Sequence, residues 1–275
     1  MRRGVLGPAL LAAALGAGGL LLARAAEAAR DPAARAAEGV PPLGVLNAIG
    51  VDLLWIRADA LYSENRWPEM LAAYEAAGRL EPRLAAAWEY RGFHLAWNLA
   101  GDAATPADRD RWIVEGARVL DDGLRRNPGN TDLRFWLGRL LLERPRRWPA
   151  AGDALRRARG REPLDEAIGL LGDAAAATPD DGRVVLAYTD GLVLRALRAL
   201  EAAPRDAPSP AAVQDLRILD LALERFSATL EAEGRDLVGR LRARVGVLRD
   251  AAAGSDPAAR ERALREFAPE AGEGK

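Results

Sequence analysis

Apolar residues recur every three or four positions along most of the chain, with charged residues between them. This spacing is typical of amphipathic α-helices, because one helical turn takes about 3.6 residues. β-branched residues are scarce, and no run alternates polar and apolar side chains as a half-buried strand does. The pattern therefore predicts an all-α fold, in which proline, glycine and polar clusters mark the breaks between helices.

Residues 51–82 predict two paired helices, each with one apolar face. Pro82 follows the second helix and ends it, because proline cannot continue a helix. The small side chains of Ala58 and Ala77 allow the two helices to approach closely. The larger members of the two faces are Leu54, Leu61, Met70 and Tyr74. In its spacing and its final proline, this segment resembles a tetratricopeptide repeat (TPR), in which two antiparallel helices span about 34 residues.

Later segments match the same repeat in parts. Pro128 and Pro179 close the next two pairs, but each lies further from the preceding proline than one repeat length. The repeat has therefore gained longer loops, which are expected around residues 101–111 and in the arginine-rich stretch 144–163. Within the first loop, Thr105-Pro106 has the residue types that begin a helix.

A fourth and weaker pair is expected at residues 183–200 and 211–231, followed by a closing helix at 235–250. The resemblance thus implies TPR-like antiparallel helical hairpins, stacked as an α-solenoid with enlarged loops and a C-terminal capping helix, over residues 43–253. The remaining residues, 254–275, are expected to form a polar tail that frays.

A longer motif supports a narrower resemblance. The pattern W-x-x-x-D-x-L-Y runs from Trp55 to Tyr62, Arg66-Trp67 follows it, and W-x-x-R-G-F-H-L-A-W-N begins at Trp88. This combination resembles a group of membrane-anchored bacterial TPR-like proteins with no assigned activity. The resemblance implies a location but adds no chemistry.

The N-terminal residues 1–30 have the layout of a signal-anchor. Arg2 and Arg3 precede an uncharged stretch, 4–23, which as a helix of about 30 Å would match a bilayer core. We expect a single-pass helix in the inner (cytoplasmic) membrane with the body on the extracytoplasmic side. A signal peptide cleaved near Ala23-Arg24-Ala25, which exports the body, is the alternative, and a buried or cytoplasmic helix is a third. The proline-rich composition of residues 31–42 is typical of a linker.

The composition excludes several classes of functional site. Thirty-nine basic and 40 acidic residues nearly cancel, so a broadly basic nucleic-acid binder is excluded and no nucleic acid is expected as a partner. Cysteine is absent and His94 is the one histidine, which excludes thiolate sites and multi-histidine metal sites. The acidic pairs Asp121-Asp122 and Asp180-Asp181 are expected to solvate or cap helices. We therefore expect no metal, no cofactor and no enzyme, with His94 as a hydrogen-bonded residue on a helix face.

Residues at the concave positions of the repeats form the candidate site. In a TPR stack, set positions of the first helix of each pair face a groove, and here these positions collect large aromatic side chains with acids between them. Such a groove would grip a protein or peptide partner through aromatic anchors. Burial of these aromatics in the core is the alternative. The predicted groove consists of Trp55, Asp59, Tyr62, Phe93, Trp97, Phe135 and Arg139.

The arginines of residues 144–161 form the densest charge run of the chain. They are expected either to contact phosphates, lipid headgroups or an acidic partner, or to lie in a solvated loop. Taken together, the sequence predicts a membrane-tethered, TPR-like scaffold that mediates protein–protein interaction at the bacterial envelope. A self-associating structural helical protein is the alternative, and an enzyme using unrecognised carboxylates is a third.

Overall fold

The structure, a computed structural model, describes residues 43–267. Eleven α-helices and one π-helical segment occupy this range, and no strand occurs within it. The all-α prediction is therefore confirmed. The chain divides into two compact units, of which the first ends at Leu133 and the second begins at Arg134.

Unit 1 is built from consecutive helices that pack against one another. Each of its first three helices contacts the next along the chain. Ala58 and Ala77 are fully buried in the core that the first three helices share, as the spacing of small residues predicts. The helices are α1 Leu43–Ser63, α2 Trp67–Leu80, α3 Ala85–Phe93 with the π-helical segment His94–Leu99 continuing it, α4 Pro106–Arg126 and α5 Thr131–Arg147, which crosses into unit 2.

The contact between the α3 extension and α4 depends on glycine. A Cβ on Gly116 of α4 would lie 2.9 Å from Cβ of Ala96 and 2.9 Å from the carbonyl oxygen of Gly92. Side chains do not tolerate such distances, so the two backbones meet here only because Gly116 has none. This crossing fixes the position of the helix that carries Tyr90 and His94.

Helix α4 begins at the cap that the sequence predicts, within residues that were also expected to form a loop. Thr105 caps it, since its hydroxyl accepts a hydrogen bond from the amide of Asp108 at 3.1 Å, and Pro106 occupies the first turn. The predicted start at Thr105-Pro106 is confirmed. The long loop expected over residues 101–111 is wrong, because the helix already covers residues from Pro106 onward.

Unit 2 repeats the arrangement of neighbouring helices in contact. From α7 to α11, each helix packs on the next along the chain. Leucines such as Leu171, Leu192, Leu216 and Leu248 fill the fully buried positions between them. The helices are α6 Pro149–Arg159, α7 Pro163–Ala177, α8 Gly182–Ala202, α9 Pro210–Ser227, α10 Ala232–Ala253 and α11 Pro257–Phe267.

The arginine-rich stretch 144–161 is not a solvated loop, which corrects that alternative. It holds the end of α5 and the whole of α6, whose apolar face is formed by the buried residues Ala151 and Leu155. Gly160 ends α6 in the left-handed conformation, at φ 67°. Ion pairs within unit 2 neutralise several of the charges, including Arg159 with Glu166 at 2.6 Å.

The expectation of a frayed tail from residue 254 onward is wrong for its first half. Asp256 caps α11 by accepting a hydrogen bond from the amide of Ala258 at 2.9 Å. The guanidinium of the buried Arg260 then donates to the carbonyl oxygens of Pro204 and Ala207. These long-range bonds hold α11 on the body, which a count of polar residues in the sequence does not reveal.

Between residues 43 and 267, no helix combines the length and apolar character needed to cross a membrane. The predicted anchor 1–30, the predicted linker 31–42 and residues 268–275 lie outside the described residues.

Candidate functional site

An aromatic cluster occupies unit 1, where α1, α2 and α3 meet. The rings of its members lie 5.1 to 6.3 Å from their neighbours, centroid to centroid. Such distances are those of attractive edge-on and stacked ring pairs. The aromatic cluster consists of Trp55, Tyr62, Trp67, Tyr74, Tyr90 and His94.

Trp55 forms the buried end of the aromatic cluster. Tyr74 and Tyr90 pack edge-on against its indole, at 5.2 Å and 5.1 Å, and leave the residue only 7% exposed. The prediction that Trp55 offers surface to a partner is therefore wrong, and the alternative of core packing holds for this residue. Two tyrosines from neighbouring helices cover the ring that the repeat register places in an open groove.

His94 lies at the centre of the aromatic cluster, where it is buried and forms the hydrogen bond that the sequence predicts. Its ring stacks on Tyr74, and the amide Nδ2 of Asn98 donates to its Nδ1 at 2.9 Å. Because Nδ1 accepts this bond, the proton of the neutral ring is on Nε2. Burial lowers the pKa of His94 to about 4, so the imidazole is uncharged at neutral pH.

The backbone changes its winding at His94. The α-helix α3 ends at Phe93, and the chain continues as a π-helical segment to Leu99. A π turn is wider than an α turn, so residues after Phe93 no longer follow the α-helical period. His94 and Ala96 are buried in this segment, whereas Phe93 and Trp97 remain partly exposed and stack on each other with centroids 5.1 Å apart.

The opposite end of the aromatic cluster is open to solvent. Tyr62 is 48% exposed and Tyr90 is 43% exposed, although each also contacts His94. Trp67 is partly exposed and packs edge-on against Tyr62 at 5.3 Å. Tyr62 and its neighbours therefore provide the aromatic surface in unit 1 that a partner can reach.

Asp59 lies on α1 between Trp55 and Tyr62, one turn from each, and is half-buried. Its carboxylate has no hydrogen bond and no ion pair with any residue that the structure describes. Burial raises the pKa of Asp59. Burial raises the pKa of Tyr74, and the negative charge of Asp59 adds to this effect.

Arginines of this part of unit 1 pair with carboxylates other than Asp59. Arg91 pairs with Glu75 at 2.8 Å, and Arg66 pairs with Glu64 and Glu69. Arg57 precedes Asp59 by two residues, so it projects from nearly the opposite side of α1. Asp59 is thus half-buried beside aromatic rings, and no basic side chain in the described part of the chain pairs with it.

The other two predicted groove residues belong to unit 2. Phe135 is only 3% exposed, because the guanidinium of Arg183 lies 5.3 Å from its ring and Trp136 packs edge-on against it. The prediction of an accessible anchor is therefore wrong for Phe135, which is a core residue. Arg139 is partly exposed, pairs with Glu143 at 2.5 Å and lies 5.5 Å from the ring of Trp136.

Of the two acidic pairs, Asp180-Asp181 supplies a helix cap as the sequence predicts, whereas Asp122 of the other pair forms ion pairs within its helix. Asp181 caps α8, since its carboxylate accepts from the amide of Arg183 at 2.9 Å. Asp122 pairs with Arg118 at 2.9 Å and with Arg125. Among the residues described, no group of three or more histidine, aspartate or glutamate side chains is placed to hold a metal ion.

Among the solvent-accessible members of the site, the sequence analysis did not identify Trp67 and Tyr90. Tyr90 precedes His94 by four residues, a spacing that places both on one helix face, and this signal was present in the sequence. Trp67 follows α1 by a short turn, and only the packing of α2 brings it to Tyr62.

Comparison of the chain with family models, with curated proteins and with solved structures gave no match in any of the three.

Proposed function

We propose that this protein is a membrane-tethered, TPR-like scaffold that binds another protein through unit 1. The observation that carries the proposal is the open end of the aromatic cluster, where exposed Tyr62 and Tyr90 lie near Asp59, whose carboxylate pairs with none of the described residues. Exposed aromatic rings beside a polar group are typical of residues that dominate binding between proteins. No reaction needs to be assigned to the site.

The TPR-like part of the proposal draws on the pairing of neighbouring helices. In unit 1, α1 packs on α2 and α3 on α4, and small buried residues lie at these contacts. Pro82 follows the end of α2 at Leu80 and precedes α3, as the repeat requires. Hairpins of this kind present one helix of each pair to a partner.

Site-specific photocross-linking in the full-length, membrane-bound protein tests the binding role. A benzoylphenylalanine at Tyr62 should give one defined adduct with another protein, whereas the same residue at the exposed Leu186 of unit 2 should not. Mass spectrometry identifies the adduct, and the purified partner must then bind the purified full-length protein. Identical adducts from both positions, or none from Tyr62, would reject the proposed binding surface.

Self-association remains a second candidate because of one specific feature. Ile49, Leu53 and Ile56 are exposed and share one face of α1, since they are spaced by four and three residues. Apolar residues arranged in this way are typical of helix-to-helix contacts between chains. A cross-linker at Leu53 that yields an adduct of twice the chain mass would favour this function.

We further propose that residues 1–30 anchor the protein in the inner membrane, with the body on the extracytoplasmic side. The support is the uncharged stretch 4–23 behind two arginines. The full-length protein should then stay with membranes after alkaline carbonate washing, and protease added outside the intact inner membrane should digest its C-terminus. Recovery of a soluble form that starts near Ala26 would establish a cleaved signal peptide instead.

A further inference from the structure

We propose that Asp59 and the aromatic rings beside it form a receptor for an arginine side chain of the partner polypeptide. This inference rests on the proposed binding role of unit 1 and specifies its chemistry. It concerns the surface formed by Asp59, Tyr62, Trp67 and Tyr90, which we call the cation site.

The first step is the missing counter-charge of Asp59. Its half-buried carboxylate forms no hydrogen bond and no ion pair with residues 43–267, so it has lost part of its hydration without replacement there. His94 faces this region from α3 but is neutral at pH 7, and Arg66 and Arg91 are already paired with glutamates. Because no basic side chain of residues 43–267 pairs with Asp59, we assign the positive charge that would complete the site to another molecule.

The second step is the aromatic surroundings. Tyr62 and Tyr90 present roughly half of their surface to solvent, and Trp67 supports Tyr62 edge-on. The faces of such rings attract cations electrostatically. A cation at Asp59 would thus meet the carboxylate and at least one ring face together.

The third step selects arginine among possible cations. A guanidinium is planar, stacks on aromatic rings and can donate two parallel hydrogen bonds to one carboxylate, whereas an ammonium is a point charge that holds its water more strongly. The protein uses the same pairing within itself. Arg126 lies 4.7 Å above the ring of Trp88, and Arg139 lies near Trp136 while it pairs with Glu143.

The test uses the full-length protein in detergent and a defined probe, the capped peptide Ac-Leu-Ala-Arg-Ala-Leu-amide. Its control replaces arginine by citrulline, which has nearly the same shape but no charge. His94 is the single histidine of the chain and contacts Tyr62 and Tyr90, so its ring resonance in NMR spectra reports on this site. We expect a saturable shift with the arginine peptide and a dissociation constant at least about tenfold higher for the citrulline peptide.

Two variants decide whether Asp59 is the cause. Asp59→Asn should remove the difference between the two peptides, and the exposed Asp102→Asn should leave it unchanged. Equal affinities for the two peptides, a difference that survives Asp59→Asn, or no saturable shift up to about 10 mM peptide would overturn the inference. An adduct at Tyr62 that has twice the chain mass would also overturn it, since the occupant would then be a second copy.

The failure of this inference can be told apart from the failure of the proposed function. If cross-linking at Tyr62 captures a partner that binds Asp59→Asn as tightly as the wild-type protein, the binding role stands and the arginine receptor falls. If Tyr62 captures no partner, the binding role itself falls.

Discussion

The rings of Tyr74 and His94 lie nearly parallel, with their planes 7° apart and their centroids separated by 5.9 Å. Tyr74 comes from α2 and His94 from the start of the π-helical segment, so this stack joins two elements of unit 1. Both residues are buried. Protonation of His94 or deprotonation of Tyr74 would place a charge in this buried contact, so burial lowers the pKa of His94 and raises that of Tyr74.

We expect His94 to titrate near pH 4, well below an ordinary histidine. Burial lowers the pKa of His94 to about 4, and protonation would also break the hydrogen bond that Nδ1 accepts from Asn98. Because the chain has one histidine, a single Cε1 proton resonance followed by NMR in a protein without a histidine tag measures this value directly. A midpoint near 6.5 would show that the ring is solvated.

The same depressed pKa predicts a pH dependence of stability. Between about pH 6.5 and pH 4 the unfolded chain binds a proton at His94 that the folded chain does not bind, so the unfolded state gains stability as the pH falls. Burial of His94 should therefore lower the free energy of unfolding by about 3 kcal/mol near pH 4, and this loss should vanish above pH 7.

The raised pKa of nearby Asp59 has the opposite effect on stability, because as the pH falls Asp59 binds its proton first in the folded state. Urea unfolding of Asp59→Asn should therefore show a steeper loss of stability with falling pH than the wild-type protein.

A substitution at Ala77 tests the packing of α1 on α2. Ala77 is fully buried, so Ala77→Arg forces extra volume and an unpaired charge into the core and should cost at least about 2 kcal/mol. Ala72 is exposed on the same helix, and Ala72→Arg should change the free energy of unfolding by no more than about 0.5 kcal/mol. Glu75 is a poor control, because it pairs with both Arg79 and Arg91. Equal thermal midpoints for the two arginine variants would mean that the buried face of α2 is misassigned.

The features of the fold that the sequence predicts correctly are those determined by residues close together in the chain. Thr105 as a helix cap and Ala77 as a buried residue were predicted correctly, because capping and the helical period act over a few neighbouring residues. Helix α6 was missed because its apolar face is narrow and its arginines dominate the sequence. The partners that neutralise those arginines, such as Glu166 for Arg159, lie on the following helix.

A pair of glycines in unit 2 tests the approach of α5 to α7. A Cβ on Gly138 would lie 2.7 Å from Cγ of Leu171, so Gly138→Ala should cost about 1–3 kcal/mol through overpacking. Nothing lies within 4 Å of the Cβ position of Gly169 on α7, so Gly169→Ala should stabilise the protein by about 0.5–1 kcal/mol. Chemical unfolding of both variants measures the difference. A gain of stability in both would contradict the close contact.

The candidate site was predicted less well than the fold, for a reason that the backbone makes clear. Asp59 and Tyr62 lie on one continuous α-helix, so their shared face followed from the period. His94 begins the π-helical segment and is buried among rings from α1 and α2, whereas the sequence predicts only a hydrogen-bonded residue on a helix face. The burial of Trp55 could not be predicted from its own helix, because the residues that cover it, Tyr74 and Tyr90, come from two other helices.

Arg260 should hold the last described helix in place. Its guanidinium donates to the carbonyl oxygens of Pro204 and Ala207, which precede α9 in the chain. Arg260→Ala removes both bonds and should cost about 1–3 kcal/mol, with faster hydrogen exchange throughout α11. The exposed Arg262→Ala, in the same helix, should leave the exchange of α11 unchanged. Unaltered protection in Arg260→Ala would show that α11 packs without these bonds.

Two aromatic truncations separate core from surface within the aromatic cluster. Trp55 is buried beneath two tyrosines, so Trp55→Ala should cost about 3–5 kcal/mol of stability, and any loss of binding should follow from the loss of fold. Tyr62 is about half exposed and loses only its ring contacts with Trp67 and His94, so Tyr62→Ala should cost about 1 kcal/mol. If Tyr62 is a true anchor, its removal should weaken the binding of the cross-linked partner by about 2 kcal/mol or more while the thermal midpoint falls only slightly. Thermal melts and binding titrations of the two full-length variants measure these quantities. A Tyr62→Ala protein that melts as low as Trp55→Ala would place Tyr62 in the core as well, and the open aromatic surface on which the proposed function rests would not exist.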